Sequence, residues 1–307
     1  MKKVIAIQLL FLVCGLCSGE DIGGYPGGFL AQGLGAQSLA MGTTGVSNVR
    51  TPLSTIYNPA GLLFSENIAA FEANYFALPL DRRIYSVGFS YNIRRDAEIC
   101  IVWINAGVSN LVGRDSDGNP TGEIRNSENA ISLTFDKRAG KFISIGGTIR
   151  YVQANLDELT SYSVGGDLGF AINILKGKIK IGGSYRNLGL TYPWNSSKVY
   201  EYGASVNDRF PRALQFGLTL NDTFYVPFTV CAEIQKREKA NIRLSAGAEI
   251  APVTALKLRA GYSGIKPSLG IAITHPLRKY TIELGYSFIF SPLELPPAHS
   301  AGLTIAF

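Results

Sequence analysis

The most chemically suggestive spacing in the chain is Asp115-Ser116-Asp117-Gly118-Asn119. Carboxylates at alternate positions around a glycine turn can converge on one calcium ion, but a calcium loop closes with a bidentate Glu at its twelfth position, which here is Asn126. The stretch reads as a structural turn ahead of a metal site. His275 and His299 are the only histidines and both sit beside turn signals, so a histidine-based metal or catalytic centre has almost no material. No Ser-His-Asp spacing or phosphate loop occurs. The expectation is a chain that is not an enzyme and holds no metal and no cofactor.

Charged residues offer a second constellation. Glu72, Asp167, Arg186, Glu233, Arg243, Glu249, Lys257, Arg259 and Glu283 each fall on the polar face of a predicted strand. They are either a selectivity pathway or a polar interior whose charges satisfy one another and the N-terminal segment, and the second reading is favoured. The elements that position them follow from the alternation: Tyr280, Ile282, Leu284, Tyr286 and Phe288 oppose Thr281, Glu283 and Ser287, the two-residue period of a strand with one greasy face. Cutting the chain at turn signals predicts fourteen strands, at approximately 66–77, 82–93, 96–107, 127–137, 141–155, 161–175, 178–190, 212–221, 224–236, 241–250, 254–262, 267–274, 279–289 and 298–307. Alternate connections are all short, whereas the two longest, Val108 to Asn126 and Thr191 to Pro211, fall on the same side. That parity belongs to outer-membrane barrels, and a soluble sandwich has no reason to keep it. Aromatic residues near strand ends, such as Tyr75, Phe76, Tyr85, Tyr151, Tyr162, Tyr262, Phe288 and Phe290, read as girdles at the membrane interfaces.

Ahead of the strands, Gly33 to Leu62 shows neither helical nor strand periodicity and is dense in glycine and alanine, with Pro52 and Asn58-Pro59 as turns. Such a segment packs inside something. In a lumen enclosed by fourteen strands it is expected to be the plug, pinned near the wall by Asn58, Pro59, Ala60 and Gly61. Residues 1–19 have a basic start, an apolar run and small residues at Cys17 and Gly19, the pattern of a secretory signal peptide. The predicted organisation is 1–19 signal peptide, 20–64 glycine-rich plug and 65–307 an all-β transmembrane antiparallel barrel.

The formal net charge of +6 falls to +4 without Lys2 and Lys3, too small and too scattered to imply a nucleic-acid partner. Beyond the leader only Cys100 and Cys231 remain, which argues against a disulfide-stapled fold. No later apolar run is long enough for a helical membrane span. The 34 Gly, 15 Tyr and 16 Phe instead suit alternating aromatic and glycine-rich strands.

Gly35-Ala36, Ala40-Met41-Gly42 and Ile56-Tyr57-Asn58-Pro59-Ala60-Gly61-Leu62 together resemble the N-terminal signature of PorV/PorQ-type outer-membrane proteins, a branch of the FadL-like barrels. Where that pattern usually carries an acidic element, this chain reads Ser47-Asn48-Val49-Arg50. The resemblance implies two roles: handling of exported proteins at the cell surface in type IX secretion, as for PorV and PorQ, or passage of hydrophobic molecules, as for other FadL-like members. The polar Val108 to Asn126 loop offers no apolar pocket, which tips the expectation toward the export scaffold, with Tyr192, Trp194, Tyr200, Tyr202 and Phe210 of the other long loop as its exposed partner or ligand patch. The expected partners are outer-membrane lipid, the barrel assembly machinery, for which the terminal Phe307 would be the signal, and secretion-system or surface proteins. The expected location is the outer membrane of a Gram-negative-type cell.

Overall fold

In a computed structural model of the chain, residues 24–65, 67–109, 111–199, 201–223, 225–264, 266–291 and 295–307 are described; the predicted signal peptide lies outside them. The alternating segments form β1 (Ala69–Leu78), β2 (Arg82–Arg94), β3 (Ala97–Val108), β4 (Val112–Arg114), β5 (Pro120–Glu123), β6 (Asn126–Arg138), β7 (Ile143–Leu156), β8 (Leu159–Ile174) and β9 (Ile179–Leu188). They continue as β10 (Thr191–Asn195), β11 (Ser205–Arg209), β12 (Ala213–Thr223), β13 (Pro227–Arg237), β14 (Ile242–Val253), β15 (Leu256–Ser263), β16 (Lys266–Pro276), β17 (Thr281–Ile289) and β18 (Ala298–Ala306). Fourteen of these form one closed antiparallel barrel in which β1 pairs with β18, while β4–β5 and β10–β11 are separate hairpins. Closure leaves no unpaired edge, the condition for crossing hydrocarbon with strands.

The predicted parity of connections holds. At the end of the barrel where Ser65 and Phe307 lie, the turns are 95–96, 139–142, 175–178, 224–226, 254–255 and 277–280. The two long connections, 109–125 and 189–212, both lie at the opposite end, and each folds into one of the hairpins. We call this the loop end.

Side chains follow the two-residue period to give an inside-out molecule. Phe89, Ile101, Trp103, Leu133 and Phe216 are exposed on the outer wall, while Ser86, Ser132, Gln215, Glu249 and Arg259 are buried in the lumen. Tyr75, Tyr85, Tyr151, Tyr162 and Phe290 are exposed, as the girdle reading expects. Phe76 is not: neighbours on a strand face opposite ways, so with Tyr75 outward Phe76 turns into the lumen and is buried. The Phe307 backbone pairs with Ile68 and Ala69, and its exposed ring lies 5.9 Å from that of Tyr280.

One buried ion pair shapes the wall. Arg150 on β7 donates to Asp167 on β8 at 2.6 Å and to Ser132 on β6 at 2.9 Å, and both charged side chains are fully buried. The other carboxylate oxygen of Asp167 accepts the Asn187 N–H at 2.8 Å, where Asn187 has φ of 63° and the β8–β9 register shifts between Gly166 and Leu168. The pair thus holds the point at which the chain leaves the sheet for the 189–212 loop. Removing one member of a buried pair costs about 3–5 kcal/mol because the other charge is stranded. Arg150→Ala is expected to lower barrel stability by about that amount in denaturant unfolding from detergent micelles; a loss under about 1 kcal/mol, within the range of an exposed pair, contradicts this role.

Candidate functional site

Residues 24–65 make hydrogen bonds with inward-facing groups of the barrel strands. They form short helices at Gly28–Ala31 and Ala36–Ala40 and two 3-10 turns, Pro52–Ile56 and Leu62–Ser65. None of these is long enough to stand alone, so wall contacts must supply the partners for the remaining backbone groups. Three lumen carboxylates do so. Glu233 accepts the N–H groups of Gly45 and Val46, both at 2.7 Å; Glu72 accepts that of Leu53 at 2.9 Å; Asp136 accepts those of Gly61 at 2.9 Å and Leu63 at 3.2 Å.

Arg50 is the sole charged residue of the Gly33 to Leu62 stretch. It pairs with Glu249 at 3.1 Å and also donates to Asn221 and Thr229, both at 3.0 Å. Arg259 bridges Glu249 and Glu283, and Lys257 also reaches Glu283. These charges satisfy one another and the inner segment, in agreement with the favoured reading of the lumen set. Arg50 therefore has a definite use: the basic residue meets a wall carboxylate where the resembled pattern carries acid.

Close approach is possible because wall glycines face the segment. A Cβ on Gly182 would lie 2.0 Å from the Val46 carbonyl oxygen, and one on Gly42, whose φ is +70°, would meet β-strand backbone at 2.5 Å. The Asn58-Pro59-Ala60-Gly61 turn is buried against β7 and β8. Asn58 Nδ2 donates to the Val46 carbonyl at 2.7 Å and the Phe170 carbonyl at 2.9 Å, and its Oδ1 accepts the Ala60 N–H at 3.0 Å. Tyr57 donates to the Leu34 carbonyl at 2.9 Å, and burial pushes its phenol up to about 12.

The long loops differ from expectation. Tyr192 and Phe210 are not part of an exposed patch: they turn inward, buried with ring centroids 4.8 Å apart, and Phe210 packs over Gly27. Tyr192 hydroxyl donates to Glu128 at 3.1 Å, and burial followed by the adjacent carboxylate holds its phenol well above the ordinary value. Trp194 is half-buried beside Tyr192, Tyr202 is 94% exposed, and Tyr200 lies outside the described residues. The apolar bodies of Tyr192 and Phe210 are better buried than left in water, since the inner segment offers Phe29 and Leu30 as partners. Asp115 Oδ1 accepts the N–H groups of Asp117 and Asn119 at 3.0 and 2.8 Å, so this carboxylate organises the turn joining β4 and β5.

A cavity of about 640 Å³ lies at the loop end. It stands between the inner segment and the wall and has a mixed lining, apolar at Phe29, Leu78, Ile84 and Trp194 and charged at Arg82, Arg83, Glu128 and Asp208. A second cavity of about 300 Å³ shares Leu78 and Arg82 with it and is lined by Leu39, Phe76 and Ile289. The Val108 to Asn126 loop gives the larger cavity only its end residues, Val108 and Asn126, and the smaller one nothing; the apolar part of the lining comes from residues 24–42, strand ends and the inward-turned 189–212 loop, which the reading of the Val108 to Asn126 loop does not consider. At the opposite end, a cavity of about 510 Å³ is bounded by Phe64, Arg138, Lys141, Phe142 and Lys180.

No protein-family model and no curated protein matches this chain. Among solved structures, the toluene transporter TodX of Pseudomonas putida superposes with a TM-score of 0.62 at 17% identity, covering 89% of this chain and 98% of that one. The CymD monoaromatic hydrocarbon channel gives 0.59 at 11% identity, covering 90% and 97%, and a Pseudomonas aeruginosa FadL homologue gives 0.58 at 11%, covering 88% and 96%. The chain has the FadL-like barrel fold.

Stripping the carboxylate from Glu233 leaves two buried N–H groups unpaired, at about 1–3 kcal/mol each. Glu233→Ala is expected to speed tryptic cleavage after Arg50 several-fold in an otherwise folded barrel. An unchanged cleavage rate means that the carboxylate does not hold the segment.

Proposed function

We propose that this chain is an outer-membrane channel for small hydrophobic molecules, with residues 24–65 as the plug that closes it. The observation that carries the reading is the cavity of about 640 Å³ between that segment and the barrel wall at the loop end, whose apolar residues Phe29, Leu78, Ile84 and Trp194 are joined by charged Arg82, Arg83, Glu128 and Asp208. A cleft of this size suits a small ligand, and its apolar part suits a hydrophobic one. Two further observations support it. The outer wall is a continuous apolar surface fit for lipid, and TodX and CymD, which share the fold, are described as a toluene transporter and a monoaromatic hydrocarbon channel. Insertion in the outer membrane would proceed through the barrel assembly machinery, with Phe307 as its signal.

The export scaffold implied by the PorV/PorQ resemblance keeps one observation in its favour, the 94% exposure of Tyr202 on the loop-end surface. The two readings separate in one assay. Liposomes carrying the purified protein are expected to take up toluene with saturation, and Trp194→Ala is expected to reduce the rate several-fold. Absence of uptake, together with co-purification of a surface protein that is lost in Tyr202→Ala, would overturn the transport reading.

A further inference from the structure

The hydrogen bonds that hold the inner segment are unevenly spread around the barrel. Among the described residues, every hydrogen bond between nitrogen or oxygen atoms from residues 24–65 to a barrel strand ends on β1, β6, β8, β9 or one of β12 to β16. Strands β2 and β3 are neighbours in the barrel and face the segment with Ile84 on β2 and Val102 and Ile104 on β3, joined by Ala130 on the adjoining β6; β7, separated from them by β6, turns the buried Ser144, Thr148 and Arg150 inward as well as Val152. Against the apolar side chains pack Val49, Leu53, Ile56 and Leu62 of the segment, in the same buried cluster. Pro52 approaches the β2 backbone closely enough that a Cβ on Gly88 would lie 2.8 Å from the proline Cβ. The polar contacts on this side are those of Cys100, whose sulfur lies 3.8 Å from Thr55 Oγ1 and 3.6 Å from the Pro52 carbonyl oxygen.

Strands β17 and β18 also lack such bonds to the segment, but they are not an equivalent seam. There a Cβ on Gly285 or Gly302 would lie 3.3 or 3.2 Å from the Ala36 methyl, and one on Gly285 would lie 3.6 Å from Arg259 Nη1. That contact has no large apolar side chain for a guest to replace, and it lies beside the charged cluster. The β2–β3 seam, in contrast, opens upward into the 640 Å³ cavity, which Ile84 and Ala106 line.

We propose that the hydrophobic permeant descends along this seam, between the inner segment and the wall of β2 and β3, as far as Cys100, while the segment stays tethered to the strands on either side. The inference rests on the transport reading and adds the route to it. Parting the bonded side exposes buried N–H and carboxylate groups, each a loss of hydrogen-bonded stability. Parting the apolar seam loses only van der Waals contacts, which an apolar guest restores as it enters. The ligand class follows: a compact neutral hydrocarbon or aromatic, because the buried side chains of β2 and β3 between Ala106 and Cys100 carry no charge; the buried Arg150 lies beyond them on β7, in the row of Val102 and Ser132.

The two native cysteines report on the two sides. Cys100 lies on the seam; Cys231 lies on β13, 3.3 Å from Thr219 Oγ1 and two residues from Glu233, on the bonded side. Both are buried, so neither is favoured by exposure alone. The full chain in liposomes is treated with benzyl methanethiosulfonate, a small aromatic thiol reagent, and each site is quantified by peptide mass spectrometry. Cys100 is expected to react at least tenfold faster than Cys231, and excess toluene to slow Cys100 alone. Equal rates, or faster reaction at Cys231, overturn the route. Ala130→Phe, which fills the seam, is expected to cut both toluene uptake and Cys100 labelling several-fold; if that variant fails to fold, the ratio in the native chain decides. Saturable toluene uptake with Cys231 labelled first refutes the route and leaves the transport reading standing, whereas no uptake by the native chain refutes both.

Discussion

A glycine-rich segment with a single charge sits in a polar lumen because wall carboxylates accept its backbone N–H groups. Glu233, Glu72 and Asp136 stand on three separate strands and between them take five amides of residues 45–63. Hydrogen bonds to charged acceptors are worth roughly 1.5–3 kcal/mol each, about twice a neutral one, and more is lost when a buried donor is left bare. The segment has too little regular structure to satisfy itself, so these acceptors define where it can lie. The proposed plug, the cavity above it and the seam beside it all depend on that arrangement.

The barrel and the segment are matched by their glycines and by their charges. Strand glycines such as Gly182 let the inner backbone approach to a distance that any Cβ would block. Arg50 completes a chain of charges through Glu249, Arg259, Glu283 and Lys257 that crosses β14, β15 and β17. Along β2 and β3 the segment is held by apolar packing, between the bonds it makes to β1 and β6, and in the proposed route that strip gives a hydrophobic molecule a passage that does not require the whole segment to leave.

Much of the barrel is legible in the sequence because an apolar outer face and a polar inner face impose a strict two-residue period over strands such as Ile131 to Phe135. The parity of short and long connections is legible for the same reason. The inner segment is legible only as something that packs, since its partners come from strands far along the chain; Asp136 reads as one more polar position until Gly61 and Leu63 are seen against it. The fates of Tyr192 and Phe210 were hidden because loop aromatics carry no periodicity to say which way they face, and their partners Phe29 and Leu30 lie over 150 residues earlier. Phe76 was the exception that local reasoning could have caught, since Tyr75 beside it already occupies the outer face.

The central claim is that carboxylate-to-backbone bonds keep the lumen closed. Single-channel conductance in planar bilayers tests it directly, comparing the full chain with a variant carrying Glu72→Ala, Asp136→Ala and Glu233→Ala together. The native chain is expected to conduct ions at or near background and the variant to show open events of larger conductance. Equal conductance from two folded barrels would contradict the claim.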